Sequence, residues 1–366
     1  MAGESFSLPN FFGFPGGAFK NWPEAAAAVD EMCEPGFLTI GGVTLRPQNG
    51  NKKTRIWRVF RIWHEVITLL DSSKRTYWTI VNWLGFPSDG CERVAQRLKK
   101  VMKRHVFFAR LIIQVAPNRT TVERDPTLPD YLYLIAQDLL LAARPFIPLL
   151  RKGDCIEIGV SSPNTPGLLA VFLRLEELLA LVQEGIGTLA EEFGVPTPLL
   201  LLKLPPDNTA KPHEPLPERD AVFVTYNSIT DEQLEHIIVI AEKCGFAGLV
   251  GFNTTTDPRA RVIRHETRNA FDQETYFIPD QAQGGVSGDG LYPIAEDRAR
   301  VLAAILRRRK SRLGFIGGGG IRTPEQVEHF LFDIGAHAVF SLSGSILEGP
   351  LLIHQSLETV YRRKAA

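Results

Sequence analysis

Residues 313–326 read LGFIGGGGIRTPEQ, and the stretch contains a complete strand-to-helix transition. Leu313 to Ile316 is a short apolar run of the kind that forms a strand buried on both faces. Gly317 to Gly320 then allow the backbone to turn with its N–H groups open to a close neighbour. Thr323, Pro324 and Gln326 spell a helix start: a capping hydroxyl, a proline at the first helical position and an amide placed to close a capping box. One βα unit is therefore legible in fourteen residues, and the rest of the chain can be searched for its repetition.

Working outward, seven further strand-like runs appear: FFGFPGGA (11–18), FLTIGGVTL (37–45), VFFARLIIQV (106–115), CIEIGVSS (155–162), PLLLLKL (198–204), AGLVGFNTT (247–255) and AHAVFSLSG (336–344). Each precedes a helix candidate, and Thr230 with Gln233 repeats the capping box. Eight parallel strands interleaved with helices predict an α/β fold, a closed (β/α)8 TIM barrel. Its length of 366 residues falls within the range of one such domain, so residues 1–366 read as a single barrel domain. Three segments rich in proline, charge and aromatics, 61–79, 207–228 and 257–283, read as loop insertions over the active face.

Composition narrows the partners. Lys plus Arg equals Asp plus Glu at 41 each, so no global field favours nucleic acid or an anionic membrane. RRRKSR, Arg307 to Arg312, closes a helix before a strand, where cations suit the helix C-terminus. Cys33, Cys91, Cys155 and Cys244 lack the spacing of a zinc site or redox dithiol, and the histidines form no HxH or HExxH pattern, so no metal is expected. Scattered thiols point to a reducing cytoplasm. MAGESFSLPNF lacks the layout of a signal peptide, and apolar stretches such as LLAVFLRLEELLALV are broken by charge, so no membrane span is expected.

The chemistry should sit at the C-terminal strand ends, with an anion near the seventh and eighth strands. Gly317 to Gly320 and the SLSGS of residues 341–345 are suited to that role. Lys203 in PLLLLKL is a cation in a central strand, and burying it without a polar partner would cost several kcal/mol. Asn253 and Thr254 end the sixth strand, while Asn82 and Phe86 follow the second. Amides of this kind can pair with a planar ring bearing both carbonyls and N–H groups. IEIGVSSPNTPGL (156–168) runs from an apolar strand into Ser161, Ser162, Asn164 and Thr165, and Pro163 restricts Ser162 to extended backbone.

These motifs, in order, are GGVTLRPQNGN, SSPNTPGL, LLLKLPPD, FNTTTD, GGVSG and IGGGGI. Together they resemble the FMN-dependent dihydroorotate dehydrogenases, class 2 type with a serine base, and the match covers nearly the whole chain. The resemblance implies an oxidoreductase acting on CH–CH groups, with FMN as cofactor and a place in pyrimidine biosynthesis. It implies FMN phosphate on Gly319, Gly320, Ser343 and Gly344, and the flavin ring near Gln114, Lys203, Thr254, Ser287 and Gly288. The substrate would stack between Lys20, Asn82, Asn164 and Asn253. Ser162 would be the base, with Thr165 and Phe86 shaping the path by which its proton leaves.

Four positions depart from the family pattern. Gly159 replaces an asparagine that contacts the substrate ring, Gln114 replaces an asparagine, Pro87 follows GF where the family has asparagine, and Phe19 replaces an acidic residue before Lys20. These departures set two readings side by side. One is oxidation of dihydroorotate to orotate; the other is desaturation of a different small carbonyl compound in a specialised pathway. A flavin-binding protein without turnover is the third. The first strand starts within about a dozen residues of Met1, leaving no room for the family's N-terminal quinone-tunnel helices. Dioxygen, a soluble acceptor or quinone all stand as electron acceptor, and a homo-oligomer is allowed.

Overall fold

A computed structural model describes residues 7–51, 56–59, 79–82, 84–162, 165, 171, 174–206, 229–266, 273–277, 284–349 and 351–365. Eight parallel strands close into a barrel: β1 (Phe12–Phe14), β2 (Phe37–Val43), β5 (Arg110–Val115), β6 (Cys155–Ile158), β7 (Leu199–Lys203), β8 (Gly248–Val250), β12 (Gly314–Gly318) and β13 (Ala338–Phe340). Every one of the eight sequence runs contains one of these strands. The final pairing, Phe12 opposite Val339, joins first strand to last. The fold is the expected TIM barrel.

Two layers of apolar packing follow from the strand period of two. Phe37, Ile112, Cys155, Leu201, Val250, Ile316, Ala338 and Phe340 fill the barrel interior as one cluster. The opposite faces of the strands meet the outer helices, among them α1 (Pro23–Cys33), α2 (Cys91–Met102), α3 (Arg119–Val122), α4 (Tyr131–Ala143), α5 (Leu175–Phe193), α6 (Asp231–Lys243) and α7 (Tyr292–Arg309), in the main core. Both expected capping boxes form: Thr230 with Gln233 opens α6, and Thr323 with Gln326 opens α8 (Pro324–Glu328). Residues 131–149 are long and apolar enough to cross a membrane by composition, with mean hydropathy 1.3, yet half of the stretch is buried inside the fold. The helix packs on α5 as part of the barrel's outer layer.

The loop after the second barrel strand is more than decoration. Its strands β3 (Ile56–Val59) and β4 (Thr79–Asn82) pair antiparallel with β11 (Gly285–Gly288), which comes from the loop after β8. A bridge from Thr255 to Val286 fastens this three-stranded sheet to the tip of β8. Buried Val81, Ala260 and Val286 form its small core. Between them, β9 (Val262–Glu266) and β10 (Gln273–Phe277) make a hairpin within the third expected insertion. Residues 61–78 and 207–228 of the other two insertions lie outside the described residues.

Candidate active site

The seventh and eighth strands deliver the group of small residues read from the sequence. β12 ends at Gly318, and Gly320, with φ +81°, passes so close to β11 that a Cβ there would lie 2.2 Å from the Gly288 carbonyl oxygen. Only glycine fits that crossing. β13 leads into α9 (Ser343–Glu348), whose Ser343 hydroxyl donates to the Ser287 hydroxyl at 2.8 Å. Gly344 lies against Ile321, where a Cβ would stand 2.4 Å from its carbonyl oxygen. Gly288, Gly319, Gly320, Ser287, Ser343 and Gly344 are thus gathered in one place. Hydroxyls and close backbone suit a phosphate monoester, and the nearby Asp289 carboxylate is occupied by the Arg322 guanidinium at 2.8 and 3.0 Å.

Around the rim, the tips of the fourth and sixth strands touch. Asn253 donates its amide to the Ser161 hydroxyl at 2.6 Å, so the first serine of the pair anchors Asn253. Ser162, one residue on, is buried, and so is Thr165. The Thr165 hydroxyl has no hydrogen-bond partner among the described residues. Asn164 lies outside the described residues. Thr254 is half-buried at the end of β8.

On the far side of the mouth, Asn82 ends β4 and donates to the Gly285 carbonyl at 3.3 Å. Phe86 has a left-handed backbone, φ 51°, and Gln48 fixes it by donating to the Phe86 carbonyl at 2.8 Å. The Phe86 ring lies on Gly42, where a Cβ would stand 2.7 Å from Cδ1. Lys20 also has positive φ, 42°, and burial lowers its pKa to about 8. Two bulky residues held in a conformation that costs of order 1 kcal/mol or more, both at one mouth, mark a site whose shape is imposed by its surroundings. Phe19, the departure beside Lys20, turns inward and packs on Phe14 at 5.4 Å between ring centroids.

Lys203 stays inside the barrel. Its ammonium sits 4.0 Å over the Phe340 ring, and burial lowers its pKa to about 8. Opposing that shift is Glu157, a fully buried carboxylate one strand away that sequence reading did not include in the site. The signal for it was available: a charge inside CIEI is as anomalous as the one inside LLLLK. Gln114 donates its amide to Glu157 at 2.5 Å and covers Gly159, whose Cβ would meet Gln114 Cγ at 3.4 Å. The Gln114 side chain thus packs beside Gly159, with its amide engaged by Glu157.

A family model for dihydroorotate dehydrogenase matches residues 3–362. The chain belongs to the dihydroorotate dehydrogenase family. Similar relatives within the family include the dihydroorotate dehydrogenase (quinone) of Dichelobacter nodosus, 30% identical over 353 residues, covering 96% of this chain and 84% of the relative. That of Thermobifida fusca is 29% identical over 359 residues, covering 96% and 78%. Among solved structures, DHODH from Eimeria tenella in complex with ferulenol superposes with a TM-score of 0.67 at 22% identity, over 97% of this chain and 82% of that one. The family match and the barrel agree with the resemblance carried by the motifs.

Proposed function

We propose that this protein oxidises dihydroorotate to orotate, with FMN bound at the mouth of the barrel and Ser162 as the base. The observation carrying this reading is the convergence of Ser287 and Gly288 from β11 with Gly320, Ser343 and Gly344 at the ends of the last two barrel strands, in a barrel whose β6 leads into a buried Ser162. Gly319, Gly320, Ser343 and Gly344 would hold the FMN phosphate, and Lys203, Thr254, Ser287, Gly288 and Gln114 would surround its ring. FMN, when bound, supplies the acceptor for a hydride. Lys20, Asn82, Asn164 and Asn253 would orient the substrate ring. The electron acceptor is quinone, the acceptor named for the relatives.

Ser162 takes a proton from the carbon beside the substrate carbonyl while the neighbouring carbon loses hydride, and a carbon-carbon double bond forms. A serine hydroxyl is a weak base near neutral pH, so its own proton must leave in step. Thr165, a buried hydroxyl with spare hydrogen-bonding capacity among the described residues, can accept that proton and donate its own onward. Phe86 closes the mouth over Gly42 and limits the water path.

The test is anaerobic mixing of FMN-loaded protein with dihydroorotate. Bleaching of the flavin at a rate that climbs with pH is expected, and Ser162→Ala should slow it by about 10²-fold or more. An alanine variant reduced at the wild-type rate would remove Ser162 from the role of base. A second reading, desaturation of another small carbonyl compound, draws on Gly159 and the displaced Gln114 amide. A flavin that dihydroorotate leaves yellow but a related cyclic amide bleaches would select it.

A further inference from the structure

Glu157 is the one acidic side chain among the described residues whose carboxylate is fully buried in the upper barrel interior, and the proposed reaction gives it no task. Its strand register explains its neighbours. Gln114 on β5 stands directly opposite Glu157, and Leu201 on β7 stands opposite it on the other side. Lys203, two residues beyond Leu201, shares the inward face because side chains alternate along a strand. Gln114, Glu157 and Lys203 therefore form a polar arc across three adjacent strands, with Glu157 in the middle.

The hydrogen bonds assign the orientation of each end. A carboxylate only accepts, so the Gln114 group 2.5 Å from Glu157 Oε1 must be its N–H₂. The Gln114 carbonyl oxygen is then turned away, toward Gly16 and Gly42 beneath Phe86, where Cβ atoms would stand 2.3 and 3.2 Å from it. The other carboxylate oxygen, Glu157 Oε2, is buried without a hydrogen-bond partner among the described residues. Burial pushes the Glu157 carboxyl above its ordinary range, while Lys203, acting through space, and the Gln114 amide favour the carboxylate; the Lys203 ammonium itself sits against the Phe340 ring. An unpaired buried ammonium is costly, and a carboxylate on the next strand offsets that cost.

We propose that Glu157 is a positioning residue of the site: it sets which end of the Gln114 amide faces the mouth and supplies the internal counter-charge of Lys203. The part concerning bound flavin rests on the reading of this site as an FMN site; the pairing itself does not. With the carboxylate present, the field of Lys203 at the mouth is opposed. Without it, an anionic reduced flavin would be better stabilised by the ammonium.

Two measurements decide it. The first uses protein without flavin: thermal unfolding of wild type, E157Q, K203M and E157Q/K203M. Each single change should lower the midpoint, and the double should lose less than the sum of the two. A double variant that folds where E157Q alone does not would be the same coupling in stronger form. Additive losses, or a double variant that loses more than the two singles combined, would overturn the pairing. The second is the midpoint potential of bound FMN. E157Q keeps an acceptor for Gln114 and removes only the charge, so it should raise the potential, whereas E157D should leave it near the wild-type value. An unchanged potential in E157Q would overturn the electrostatic role. Failure of the wild-type protein to take up FMN would instead count against the proposed function, and the unfolding cycle would still decide the pairing.

Discussion

Thr165 is buried and its hydroxyl makes no hydrogen bond among the described residues, a state that costs about 1 to 3 kcal/mol when water is excluded. Valine has the same shape without the hydroxyl. Thr165→Val should therefore leave the unfolding midpoint unchanged or higher, while flavin reduction slows if the hydroxyl carries the proton from Ser162. A variant that is both as stable and as fast as wild type would reduce Thr165 to packing. Residue identity alone singled out Lys203, a cation in an apolar strand, and the polar cluster after β6, whereas the roles of Ser162 and Thr165 came from the family resemblance. It did not expose the partnership of Glu157 with Lys203 or the seating of Gln114 over Gly159. Both depend on which residues on neighbouring strands stand opposite one another.

At the scale of elements, the loop below the expected phosphate is held by α8, whose capping box ties the Thr323 hydroxyl to the Gln326 backbone. Gln326 also accepts from the Arg322 N–H at 2.7 Å, joining the helix start to the chain just after Gly320. Thr323→Ala should cost about 1 kcal/mol of stability, read by denaturant unfolding, and should weaken phosphate-bearing ligands if the loop loosens. No change in the unfolding midpoint would mean that the cap is redundant with packing. The eight barrel strands and both capping boxes were legible because their signals are local. The three-stranded sheet of β3, β4 and β11 was not, since four-residue strands carry little pattern and Val81 meets Val286 across some two hundred residues of chain.

For the whole molecule without flavin, the pH dependence of stability has a definite sign. Lys20 and Lys203 have pKa values lowered to about 8 by burial, so the folded state releases their protons before the unfolded chain does. Stability should therefore rise as pH moves up from about 8 toward the lysine value of the unfolded chain. The thiols of Cys33, Cys91, Cys155 and Cys244 are all shifted upward by burial, with Cys91 pushed up to about 11. Above about pH 9 the unfolded chain ionises thiols that the folded chain keeps protonated, so the gain should turn into a loss. Thermal unfolding across pH 7 to 10 should show a maximum near 9, and a flat profile would contradict the buried lysines. All four thiols are free, so added reductant should leave the midpoint where it is.

By itself, the order of apolar runs, glycine turns and capped helix starts determined the barrel and its strand count, because each of those signals is written within a few neighbouring residues. Tertiary structure alone decided the register across β5, β6 and β7, and hence that Glu157 lies between Gln114 and Lys203. It also decided that the strands flanking two distant insertions share one sheet. Contacts between strands depend on closure of the whole barrel, and no local stretch of chain encodes the distance across it.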